Sequence, residues 1–114
     1  MHLLIRSATR ADLPQVLALC RMLDLPGEPG LSEPQALARF EALTAGDRHR
    51  VYAAEQQGQV VGTFALTFVG GLAHSARDSC IVEDAVVTPS LRGTGIGQKM
   101  MAFIIDPIMW AMVV

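Results

Sequence analysis

The sequence predicts a single mixed α/β domain, with elements in the order β-α-α-β-β-β-α-β along its 114 residues. Three observations carry that expectation. Short runs rich in β-branched residues alternate with segments whose apolar residues recur at helical steps, so the hydrophobic period switches repeatedly. Turn-forming residues punctuate the switches. The length, with 51% hydrophobic and 18% charged residues, supplies one core and little room for a second.

Leu3 to Arg6 reads as a first strand ending at Ser7 and Thr9, either of which can cap a helix. From Ala11 to Leu23 the apolar positions Leu13, Val16, Leu17, Cys20 and Leu23 make one helical stripe, with Pro14 in the tolerated first turn. Leu25 to Leu31 is a loop of turn residues. Ser32-Glu33-Pro34 then opens a second helix with Leu37, Phe40 and Leu43 on its apolar face. Val51 to Glu55 and Val60 to Val69 form a hairpin around Gln57-Gly58-Gln59. A loop from Gly70 to about Asp78 leads to a strand over Ile81 to Thr88. A helix begins at Thr94 or Gly95 and runs to about Ile105, where Pro107 must end or kink it. The apolar Ile108 to Val114 suits a buried strand or a helix remnant, with the strand favoured.

The formal net charge of -2 lacks the basic excess of a nucleic-acid binder, so no nucleic-acid partner is expected. Cys20 and Cys80 fit no metal-ligand spacing and read as reduced thiols of a cytoplasmic protein, with no metal. The N-terminus is too soon interrupted by charge for a signal peptide. The tail, broken by Asp106 and Pro107, falls short of the ~20 apolar residues that span a bilayer, so no membrane partner is expected.

Arg92-Gly93-Thr94-Gly95-Ile96-Gly97 lies between a strand and a helix. The first N–H groups of a helix are unpaired, and a loop without β-carbons lets a phosphate reach them. Gly97 is followed by Gln98, which breaks the P-loop pattern, and G-x-G-x-G is not the dinucleotide fingerprint. The competing explanation is a glycine-rich turn needed for close helix–strand packing.

The Arg-x-x-Gly-x-Gly spacing of Arg92 to Gly97, directly after a strand ending Val86-Val87-Thr88, resembles the GNAT superfamily of N-acetyltransferases. The likeness runs from Leu3 to about Met101 and takes in the first strand, two helices, the AEQQGQVVG hairpin and the IVEDAVVTPSLRGTGIG block. It implies a largely antiparallel twisted sheet with helices on both faces and a shortened C-terminal half. It also implies acetyl-CoA as cosubstrate. The pantetheine arm would lie on Val86, Val87 and Thr88, and the pyrophosphate on Arg92, Gly93, Thr94, Gly95, Ile96 and Gly97.

An alkyl ammonium with a pKa near ~10 needs a base before it can attack a thioester. Glu83 matches the acid that many relatives place on this strand, and its alternative role is an ion pair with a residue such as Arg77. Strict alternation puts Glu83 with Ile81, Ala85 and Val87, and Asp84 with Val82 and Val86, so one acid alone faces a cleft unless a bulge intervenes. His2 and His49 read as solvated, His74 as a neighbour of the acceptor site, and Tyr52 as packing.

Relatives continue past the glycine-loop helix with a splayed strand and further elements, whereas here one strand at most fits before Val114. The apolar tail therefore implies a homodimer that covers it. Two functional readings follow. One is an acetyl-CoA-dependent N-acetyltransferase acting on a small-molecule or protein amine by direct attack. The other is a CoA-binding or dimerising module without catalysis.

Overall fold

A computed structural model describes residues 2–76 and 78–106. The chain runs β1 (Leu3–Ser7), α1 (Leu13–Cys20), α2 (Glu33–Thr44), β2 (His49–Gln56), β3 (Gln59–Val69), the single turn α3 (Ala73–Ala76), β4 (Ser79–Val87) and α4 (Ile96–Ile104). Single 3-10 turns flank α1, and another, Pro89–Leu91, precedes the glycine loop. The strands pair antiparallel throughout in the order β1-β2-β3-β4. The turn α3 falls inside the segment expected as loop. The expected strand at Ile108–Val114, and the homodimer argued from it, lie outside the described residues.

Local chemistry accounts for where the helices begin. Gln35 Oε1 accepts from the Ser32 N–H at 2.9 Å while the Ser32 hydroxyl accepts from the Gln35 N–H at 3.3 Å, a reciprocal cap at the start of α2. Ahead of α1, the Asp12 carboxylate accepts from the Thr9 N–H at 2.7 Å and from the Arg6 guanidinium at 2.7 and 2.9 Å. Arg6 also reaches Glu55 at 3.0 Å, so one cation ties β1, β2 and the entry to α1 together. Asp12 is only 6% exposed. The Arg6 hydrogen bonds hold its carboxyl down to about 2, from an ordinary 3.8, against the opposing effect of burial.

Helices cover both faces of the sheet, as the family likeness implied. On one face Val16 and Leu19 of α1 pack with Ala53, Val60 and Val86. On the other, Ile96, Met100 and Ile104 of α4 pack with Ala54, Phe64, Leu66 and Phe68. Tyr52 is a packing residue: its ring stacks on Phe64 at 5.1 Å and meets Phe103 edge-on at 5.4 Å. Gly62 lets α4 settle this close. A β-carbon there would lie 2.9 Å from the Met100 sulfur and 3.3 Å from the Val86 carbonyl oxygen.

Candidate functional site

Strand β4 is not regular. Ala65 pairs with Glu83 but Thr63 pairs with Val86, so one residue of β3, Phe64, stands opposite two of β4, Asp84 and Ala85. The extra residue is accommodated at Asp84, whose φ of +54° is a left-handed conformation that non-glycine residues seldom adopt. This bulge overturns the strict alternation expected from the sequence. Val82 and Val87, five positions apart, both pack on the α4 face, while Val86 packs with α1. Glu83 and Asp84 consequently line the same cavity of about 370 Å³, together with Arg39, Leu43, His49 and Thr67.

A hydrogen-bonded chain leads into that cavity. The Thr67 hydroxyl donates to Glu83 Oε1 at 3.4 Å and meets His49 Nδ1 at 3.1 Å. His49 is thus half-buried and engaged, not solvated as the flanking arginines suggested. Its position on β2 directly opposite Thr67 makes the contact, and that register is a property of strand pairing. Among the described residues Glu83 forms no ion pair, and the alternative partner Arg77 lies outside them. His74 falls in α3.

Asp84 also lines a second cavity, of about 210 Å³, walled by α1, α2 and the sheet. Cys20 of α1 lines it too. Burial pushes the Cys20 thiol up, and the negative charges of Asp84 and Asp24 add to the effect.

At the far end of β4 the glycine loop is open. Gly95 caps α4 with φ +93°, and a β-carbon on it would meet nothing nearer than Gln98 Oε1 at 3.9 Å. Gly93 has φ +82° and free space around it. Gly97 has ordinary helical geometry, and its added β-carbon would sit 3.9 Å from Val87 Cγ2, an unstrained contact. Close packing therefore does not require these glycines; the space a side chain would fill is left to whatever approaches from outside. No acidic residue occupies the first turn of α4, so its unpaired amides stay receptive to an anion. These residues fit a pyrophosphate.

The remaining expected contacts divide by availability. Arg92 is exposed, and its Nε donates to the Val87 carbonyl at 3.1 Å, folding back onto the strand end. Ile96 is buried in the α4 core, so its amide alone is free to face a ligand. The Thr94 hydroxyl and N–H both donate to the Leu91 carbonyl, at 2.6 and 3.3 Å, so the expected Thr94 amide is not open to a phosphate. The Thr88 N–H is committed to the Val61 carbonyl at 2.8 Å and is not available to a pantetheine arm. Thr88 follows the end of β4, five positions beyond Glu83 along the chain.

The Acetyltransferase (GNAT) family matches residues 16–108. Among solved structures, a protein of Agrobacterium tumefaciens C58 assigned as an acetyltransferase is 31% identical, with a TM-score of 0.80 over 90% of this chain and 70% of that one. Glucosamine-6-phosphate N-acetyltransferase from Arabidopsis thaliana is 23% identical, with a TM-score of 0.77 over 93% of this chain and 74% of that one. An acetyltransferase assigned in Clostridium acetobutylicum, determined with acetyl-CoA, is 18% identical at a TM-score of 0.69 over 91% and 71% of the two chains. No curated protein matches the sequence. No helix among the described residues is long and apolar enough to cross a membrane. A family match over most of the sequence, joined to 31% identity with a solved relative across nine-tenths of it, establishes that the chain belongs to the GNAT acetyltransferase family.

Proposed function

We propose that this chain is an acetyl-CoA-dependent N-acetyltransferase that moves the acetyl group to a primary amine by direct attack. One observation carries the reading: β4 joins an acid-lined cavity at its bulge to an open glycine cradle at its end. Acetyl-CoA brings the thioester. The chain's own residues bind and orient it and move a proton.

The amides of Gly93, Gly95, Ile96 and Gly97 receive the pyrophosphate, joined by Arg92, which releases the Val87 carbonyl as it turns to the charge. The freed carbonyl and the strand end at Val86 and Val87 take the pantetheine arm. A backbone N–H near Val86 or Val87 holds the thioester oxygen as negative charge develops on it.

Glu83 removes a proton from the ammonium, and the amine lone pair attacks the carbonyl carbon. The C–N bond forms and the C–S bond breaks. Of the two protons lost by the ammonium nitrogen, one leaves through Glu83 and the other ends on the departing thiolate. Thr67, steadied by His49, keeps the Glu83 carboxylate turned into the cavity. The two free cysteines fit a reducing, cytoplasmic setting, and a homodimer would cover the exposed Met101 of α4 and Ile105 just beyond it.

A calorimetric titration of the purified chain with acetyl-CoA, followed by thiol-release assays with amines, tests this. Saturable binding with amine-dependent thiol release is the expected result. Binding without turnover would leave the non-catalytic CoA module, and no binding by a folded chain would defeat both readings.

A further inference from the structure

The two cavities beside the bulge share Asp84, Arg39, Leu43, Val51 and Ala65, so they are compartments of one groove. Their chemistry differs. The outer compartment holds Glu83, His49 and Thr67. The inner one is walled by Leu13, Val16, Leu17, Phe40 and Leu43, and the hydroxyl of its Thr63 is already spent on the Tyr52 carbonyl at 2.8 Å. The Asp84 carboxylate, among the described residues, is engaged in no hydrogen bond or ion pair, and the bulge places it where both compartments meet.

We infer that the acceptor is a primary monoamine with a compact apolar body, of the aralkylamine class, its ammonium held between Asp84 and Glu83 and its ring or alkyl group in the inner compartment. The inference rests on the N-acetyltransferase reading and names the substrate of that same site. The size fits. An apolar cavity of about 150 Å³ accommodates benzene, so about 210 Å³ takes a ring with a short linker.

The alternatives fail on polar groups. An amino sugar would bury several hydroxyls against leucine and phenylalanine, more than Asp84 and Arg39 alone can pair. A polyamine would carry a second ammonium into the same apolar wall. A small hydroxyalkyl amine would leave the inner compartment unfilled and forfeit its apolar contact.

Thiol release with acetyl-CoA should be compared for 2-phenylethylamine, 2-cyclohexylethylamine, ethanolamine, spermidine and glucosamine. The first two are expected to exceed the others in kcat/KM by about tenfold or more. Leu43→Gln, which makes the shared wall polar, should raise KM for 2-phenylethylamine while acetyl-CoA affinity stays unchanged. Ethanolamine, spermidine or glucosamine turning over as well as the apolar amines would overturn the inference. If no amine is acetylated, 2-phenylethylamine is titrated onto the CoA-loaded chain: saturable binding weakened by Leu43→Gln supports the site, and no binding overturns it. A chain that fails to bind acetyl-CoA at all would instead overturn the enzyme reading, and the same amine titration on the free chain would still decide the cavity.

Discussion

The two ends of β4 are built on different principles. The glycine loop is local: six consecutive residues, Arg92 to Gly97, supply the amides, the missing β-carbons and the cation. The acid site is assembled at a distance, with His49 from β2, Thr67 from β3, Glu83 and Asp84 from a bulge in β4, and Arg39 and Leu43 from α2. A loop of the first kind tolerates rearrangement elsewhere as long as α4 forms. A site of the second kind depends on the register of three strands, and a slip of one residue would scatter it.

That contrast can be broken at either end. Glu83→Gln should lower kcat by about a hundredfold or more while acetyl-CoA affinity holds, because removing a general base spares the cradle. Unchanged turnover would take Glu83 out of the mechanism. At the other end, Gly97→Leu is expected to weaken acetyl-CoA binding by about a hundredfold, or about 2.7 kcal/mol. Its melting temperature should hold or rise, since glycine inside a helix costs about 1 kcal/mol relative to better helix formers. A melting temperature that fell along with binding would return Gly97 to packing.

A control lies away from both ends. The Asp12 carboxyl, held near about 2 chiefly by Arg6, contributes about 2 kcal/mol of stability above its ordinary value of 3.8. That contribution disappears as pH falls from about 4 through about 2, because protonation breaks the Arg6 contacts. Acid titration of unfolding in the native chain and in Asp12→Asn should differ in that window and converge below it. Curves that run parallel through it would remove Arg6–Asp12 from the acid response.

The smallest expected effect sharpens the distance argument. Thr67→Val should reduce kcat/KM by about tenfold, the loss of one hydrogen bond to a charged group, and Thr67→Ser should restore it. A purely packing role for Thr67 would show the reverse ranking, since valine keeps its volume and serine does not.

Much of the fold was legible because its signals are short-range. Ser32 with Gln35, the alternating strand residues of the hairpin and the Arg92–Gly97 loop all act within a few positions of themselves. The helical stripe of α1 announced Val16 and Leu17, which are buried, whereas its Leu23 ends exposed and Leu19, outside the stripe, is buried. Tyr52 read correctly as packing for the same reason.

What went unread depends on partners far along the chain. His49, between two arginines, carries no local sign that Thr67 will sit across from it. Glu83 and Asp84 are adjacent, and adjacent residues of a regular strand face opposite ways. They share a cavity because β3 offers one residue where β4 spends two, and no property of the sequence IVEDAVV by itself demands that.

By itself, the sequence determined the order of elements, the helix starts and a loop that leaves amides open to an anion, since each follows from backbone sterics and nearest-neighbour hydrogen bonds. The tertiary structure alone decided that two acids, a threonine and a histidine converge beside an apolar compartment. Convergence of that kind is set by inter-strand register and by which helix closes over which face, and those are fixed only when the whole sheet is paired and packed.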